Sequence, residues 1–234
     1  MKSYNLAIST AIFSLAGIVF QHESNSSLIR ELSRNSQLRV ITGFARRKLP
    51  DSYNYTRFFD NLSKNTEDVE KIFDTVLKQI TELLPNFGQR LAGDGKAIKS
   101  VATRKNKNKE EDGRRDLDAD KGVKKYSGVD ENGKKWEKIV TWFGYKLHLI
   151  VDAVYELPVA FELTKASAGE GPEMKKLIEK IAKDNPEIMD RCEVFTADRG
   201  YDDTDIIEKL WQEYKTKAVI DMRNCWQKKR STDV

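Results

Sequence analysis

The chain has 234 residues, 39% hydrophobic and 33% charged, with a net charge of +4, which describes a soluble, highly charged globular protein with material for one large domain or two small ones. Two cysteines, Cys192 and Cys225, and two distant histidines, His22 and His148, exclude a disulfide scaffold and a zinc site of Cys/His spacing, and point to a reducing cytoplasm.

Leu6 to Phe20 is apolar after a lone Lys2, but Ser9, Thr10, Ser14 and Gly17 dilute it. It is too thin for a signal peptide and short for a membrane span, so a buried helix is expected. Ser27 to Ser33 and Ser52 to Leu62 read as further short helices, with Leu38 to Ile41 adding apolar surface. Arg46, Arg47, Lys48 and Arg57 lie among them. These helices form either a helix-turn-helix with its basic side chains near phosphate or a small bundle that braces the next domain. From Asn65 to Leu84 the apolar residues Val69, Ile72, Phe73, Val76, Leu77, Ile80, Leu83 and Leu84 share one stripe, predicting a long helix that buries it. Pro85 and Gly88 end that helix.

Arg90 to Ala92 then enters a strand, with Asp94 between Gly93 and Gly95. Lys99 to Lys138 is nearly devoid of apolar residues and crowded with both charges, so it reads as an exposed insertion. Its acidic run Asp116-Leu117-Asp118-Ala119-Asp120 lacks the glycine and distal Glu of a calcium loop. Trp136 to Asp152 and Leu157 to Thr164 read as antiparallel strands, with Lys146 and His148 on the same face. A helix follows from Gly171 through Ile181. Val194 to Ala197 makes a short strand stopped by Gly200, then come a helix carrying Ile206, Ile207, Leu210 and Trp211, a last strand from Lys217 to Met222, and a basic tail from Asn224.

Charge is unevenly spread. Residues 1–60 hold eight Lys/Arg against four Asp/Glu, whereas residues 152–221 hold ten against seventeen. A basic front and an acidic rear suit a protein that touches phosphate with one part and collects carboxylates with another, although surface solvation produces the same numbers. The chemistry rests on two aspartates. Asp198 ends one apolar strand and Asp94 lies on another, and carboxylates on rigid strands are the hard oxygen ligands that Mg²⁺ requires. A single strand-end Asp more often just closes a turn; two in similar settings suggest a shared ion.

Ala92-Gly93-Asp94-Gly95, Gly144-Tyr145-Lys146-Leu147-His148-Leu149 and Thr196-Ala197-Asp198-Arg199-Gly200-Tyr201-Asp202 resemble, in that order, motifs of the DDE transposases of bacterial insertion sequences. The resemblance implies a mixed α/β, ribonuclease-H-like five-stranded sheet with flanking helices over 88–234, interrupted by the 99–138 insertion. An all-helical domain that recognises DNA ends would precede it over 1–87. It further implies DNA cleavage and strand transfer with two Mg²⁺ or Mn²⁺ ions on Asp94 and Asp198, and a homodimer on double-stranded DNA. Arg46, Arg47, Lys48, Arg57, Lys146, His148 and Arg199 are the expected DNA contacts. The family's third acid, a Glu on a helix beyond the fifth strand, has no counterpart after Asp221. The expectation is therefore a truncated transposase, inactive alone. The alternatives are a non-catalytic DNA-binding fragment that regulates a full-length enzyme, or a stand-alone nuclease using Glu173.

Overall fold

The computed structural model describes residues 2–22, 24–44, 49, 51–102 and 116–222, with side chains from residue 9 onward. Arg46, Arg47, Lys48, the run 103–115, Cys225 and the basic tail therefore lie outside the described residues. The chain divides into two compact units, residues 1–76 and 77–234.

The first unit is helical, as its 3.6-residue periodicity requires: α1 (Lys2–Val19), α2 (Asn25–Arg34), α3 (Ser36–Ile41), α4 (Ser52–Ser63) and the start of α5 (Thr66–Leu83). Side-chain caps set two of the boundaries. Ser24 accepts from the Ser27 amide at the start of α2, and Asn35 accepts from the Leu38 amide at the start of α3. Phe13, Leu28, Leu32, Leu38, Phe44 and Tyr55 form the core, with the Phe13 and Tyr55 rings stacked at 4.1 Å. Burial pushes the Tyr55 hydroxyl up to about 12. Among the described side chains of α1, Phe13 and Ala16 enter the core, while Leu15, Ile18 and Val19 remain exposed. No helix among the described residues is long and apolar enough to cross a membrane.

The long α5 forms where its stripe predicts it, but the stripe is buried only at Leu77 and Thr81, and Ile72, Val76 and Leu83 stay exposed. Burial of the whole stripe is thus not observed.

In the second unit the apolar period changes to two and the chain forms a sheet: β1 (Arg90–Lys99), β2 (Asp120–Val129), β3 (Lys135–Asp152), β4 (Pro158–Lys165), β5 (Val194–Ala197) and β6 (Lys217–Ile220). The order is β2-β3-β1-β5-β6, with β4 also pairing β3. The pairings of β3 with β1, β2 and β4 are antiparallel, and β5 lies parallel to both β1 and β6. This is a ribonuclease-H-like sheet with one strand more than the five expected. The addition, β2, comes from the stretch read as an exposed insertion. That stretch buries too little to fold alone, but the 18-residue β3 supplies an edge that pairs with every residue of Asp120–Val129 on one side.

Alternation along β3 buries Trp142, Lys146, His148, Ile150 and Asp152 on one face. There α6 (Glu170–Asp184) packs against β3 and β4, burying Met174, Leu177, Ile178 and Ile181. The helices α7 (Pro186–Arg191) and α8 (Thr204–Tyr214) flank the parallel strands, with Asp203 capping α8 through the Asp205 amide. Gly144, at φ 149°, marks where β3 leaves β2 for β4; a side chain there would run into the Ile98 carbonyl. The fully buried Asp152 accepts from the Gly88, Val154 and Tyr155 amides, so it locks the entry to β1 and the turn after β3 together. Cys192 is buried, and burial raises its thiol to about 11.

Candidate active site

Register brings the two aspartates together. In the parallel pairing of β1 with β5, Gly93 faces Ala197, so Asp94 and Asp198 are the next residues along neighbouring strands, whose spacing is about 4.8 Å. Both carboxylates are exposed and line one cleft of about 800 Å³, Asp94 from the middle of β1 and Asp198 just beyond the end of β5. Each is fixed through one oxygen: Asp94 Oδ1 accepts from the Gly95 amide at 2.7 Å, and Asp198 Oδ1 accepts from the Gly200 amide at 2.8 Å. The second oxygen of each has no protein partner among the described residues.

Two further groups reach the same place. Glu170, the first residue of α6, sends its carboxylate towards the Asp198 turn and pairs with Lys146 at 3.5 Å. Tyr201 closes the 3-10 turn Arg199–Tyr201 and is fully buried, its hydroxyl without a hydrogen-bond partner among the described residues. Burial and the negative charges of Glu170, Asp94 and Asp198 push that phenol far above its ordinary value, so it stays protonated and remains a donor. Glycines make room for this crowding. A β-carbon on Gly95 would stand 2.9 Å from the Tyr201 hydroxyl, and one on Gly200 would stand 2.5 Å from Glu170 Oε2. Sequence reasoning missed both Glu170 and Tyr201. Glu173 drew attention on the same helix turn, but it pairs with Lys176 at 2.8 Å, acts electrostatically on His148, and does not line the cleft.

The donor set fits a divalent cation. Hard, exposed carboxylate oxygens stand on neighbouring strands with unused lone pairs. Among the described residues, no three acidic, His or Cys side chains converge in an ion-holding arrangement.

The expected DNA contacts are scattered. Lys146 lines the cleft but is 9% exposed, held by Glu170 and by the Ala168 carbonyl at 2.9 Å. His148 has no exposed surface with which to meet a phosphate; its Nε2 lies 3.0 Å from Thr164 Oγ1, and burial, followed by the Lys146 charge, lowers its pKa. Arg199 lines the adjoining part of the cleft and pairs with Asp221 at 3.2 Å. Arg57 is exposed on α4, in the other unit.

The β2–β3 ribbon forms a wall of the cleft through Lys124, Tyr126 and Trp142. Lys124 Nζ sits 5.8 Å from the Tyr126 ring centre. The acidic run before β2 is structural: Asp116 accepts from the Tyr145 hydroxyl at 2.6 Å and from Ser100, and Asp120 accepts from Ser167. The hydrogen bond from Tyr145 is the main cause that lowers the Asp116 pKa, and it raises the Tyr145 phenol to about 12.

The sheet thus carries Asp94 and Asp198 at adjacent positions of its first and fourth core strands, the arrangement of a ribonuclease-H-like fold. Residues 94–232 match the family model of the transposase DDE domain, and the chain belongs to that family. A search of solved structures found a similar chain in the crystal structure of a pre-cleavage Mos1 transpososome, with 13% identity and a TM-score of 0.30 over 89% of this chain and 58% of that one. No curated protein matches the chain.

Proposed function

We propose that this chain carries the catalytic aspartates of a DNA transposase, Asp94 and Asp198, for metal-dependent strand cleavage and transfer. The observation that carries the reading is the β1–β5 register, which sets these carboxylates side by side within the span of the family match. A bound Mg²⁺ or Mn²⁺ pair would supply charge neutralisation at the phosphoryl oxygens and an activated water or 3′-hydroxyl. The protein's own contribution is placement: the Gly95 and Gly200 amides hold one oxygen of each carboxylate, so the other is aimed before DNA arrives.

Double-stranded DNA is the proposed substrate, lying along the basic ribbon that walls the cleft. Residues 120–138 carry six lysines against four acids, with Tyr126 and Trp136 among them. The helical segment 1–87, with Arg46, Arg47, Lys48 and Arg57, would recognise the element's ends, and the active assembly would be a homodimer.

The test is cleavage and joining of DNA bearing the element's ends in Mg²⁺ or Mn²⁺, by the chain alone and with the C-terminal portion of a related transposase supplied. Metal-dependent cleavage in either arm, lost in Asp94→Asn and Asp198→Asn, is expected. No such cleavage in either arm would overturn the reading.

A further inference from the structure

The groove that would receive a polyanion is formally neutral among its described residues. The aspartate cleft and the groove that continues from it are lined by five bases, Lys96, Lys124, Lys125, Lys146 and Arg199. Five acids line them too: Asp94, Asp198, Asp203, Asp221 and Glu170. Asp94, Asp198 and Asp203 each accept from a backbone amide, whereas Asp221 and Glu170 face bases. Asp221 meets Arg199 at 3.2 Å with both side chains more than half exposed, where water and salt screen the pair. Glu170 meets Lys146 at 3.5 Å with side chains 19% and 11% exposed, so this pair is barely screened.

The position of Glu170 is independent support. Gly169 caps α6 without a side-chain hydrogen bond, so a carboxylate in the first turn would be favourable at that helix's own amides. Glu170 instead reaches Lys146 on β3 and lies against the turn after β5, where a β-carbon on Gly200 would stand 2.5 Å from its Oε2. Lys146 has a second hold, donating to the Ala168 carbonyl at 2.9 Å, which keeps the ammonium at the groove when Glu170 leaves it. The one buried cation of the groove is thus covered by a carboxylate, the chemical likeness of a phosphate oxygen.

We propose that Glu170 is a built-in stand-in for a DNA phosphate: in the free protein its carboxylate occupies Lys146, and a strand seated in the groove must displace it before a phosphate reaches that ammonium. The contact is autoinhibitory. It withholds Lys146 from indiscriminate binding of duplex, and it opens only when the other contacts of a fully seated strand offset the loss of the ion pair. This rests on the reading of the cleft as a DNA site and gives Glu170 a part in admitting the substrate.

The experiment measures binding of the full 234-residue chain to a DNA duplex of arbitrary sequence in EDTA across a salt series, with melting curves to confirm that each variant is folded. Glu170→Gln should tighten binding several-fold and steepen the slope of log K against log salt by about 0.9, the value of one added phosphate contact. In a Lys146→Met background the same change should leave the slope as it was. A second measurement needs no change at Lys146: in Glu170→Gln, amine acetylation read by mass spectrometry should modify Lys146 faster than in wild type, and the duplex should protect it. Unchanged or weaker binding by Glu170→Gln refutes the gate, as does tighter binding at an unchanged slope, which reports only the loss of a negative charge. A steepening that persists without Lys146, or a Lys146 that DNA fails to protect, refutes it equally. If neither wild type nor any variant binds the duplex in a salt-dependent manner, the reading of the cleft as a DNA site falls, and the gate with it.

Discussion

At the scale of the residue, Gly95 is a constrained position of the site, because the Tyr201 hydroxyl fills the space a side chain would need. Gly95→Ala should destabilise the protein by about 1–3 kcal/mol through overpacking. Tyr201→Phe removes a buried hydroxyl that has no partner and should be nearly neutral or slightly stabilising. Combined, the two changes should cost less than their sum, and a urea-denaturation double-mutant cycle giving strict additivity would contradict the contact. His148 gives a pH signature. Its folded pKa is lowered, so below its ordinary value of 6.5 the unfolded chain takes up a proton that the folded chain refuses. Stability should therefore fall as pH drops from 7.5 towards 5.5, and His148→Asn should flatten that fall in urea midpoints. Asp94 and Asp198 were legible in the sequence because glycines and short apolar runs frame them. Glu170 was not, since a glutamate in a helix's first turn is ordinarily a solvated partner of the helix dipole. Both Glu170 and Glu173 turn inward, and only the fold shows that Glu170 is the one that lines the cleft.

At the scale of the element, the ribbon is where sequence and structure part. A segment so rich in lysine has no apolar face of its own, and its strand character comes from pairing with β3. What holds it is aromatic cover: Gly122 lies opposite Trp142 and Gly128 opposite Trp136, each indole lying across the bare backbone of its partner. Trp142→Ala should cost about 3 kcal/mol in urea denaturation, and a loss below about 0.5 kcal/mol would show that the ribbon is held otherwise. The Asp116 anchor is acid-sensitive. Its carboxyl pKa is lowered in the folded state, so its contribution is present at neutral pH and lost as pH falls through that depressed value. Asp116→Asn should lower the Tm at pH 7, with the difference from wild type shrinking in strong acid.

At the scale of the whole molecule, DNA binding should be dominated by phosphates and weaken steeply with salt. Replacing Lys124 and Lys125, which both line the cleft, with Ala should reduce the slope of log K against log salt by about 2, at ~0.9 per lost phosphate contact. An unchanged slope would remove the ribbon from the DNA path. The order of helices and strands was readable from apolar periodicity, whereas the compact units, which part between Val76 and Leu77, were not, because the stripe of α5 runs unbroken across that point. The sheet topology also dictates when the protein can first be whole. β1 is hydrogen-bonded on one edge to β3, which leaves the ribosome soon after it, and on the other to β5, nearly a hundred residues further along the chain. At synthesis rates of ~5–20 residues per second, that second edge stays open for roughly 5–20 s, exposing unpaired amides and carbonyls in the nascent chain. The antiparallel meander can assemble early, but Asp94 acquires its neighbour only when β5 slots in. A shift of one residue in that late docking would turn alternate side chains of β5 to the wrong face and leave a folded-looking sheet with no paired aspartates.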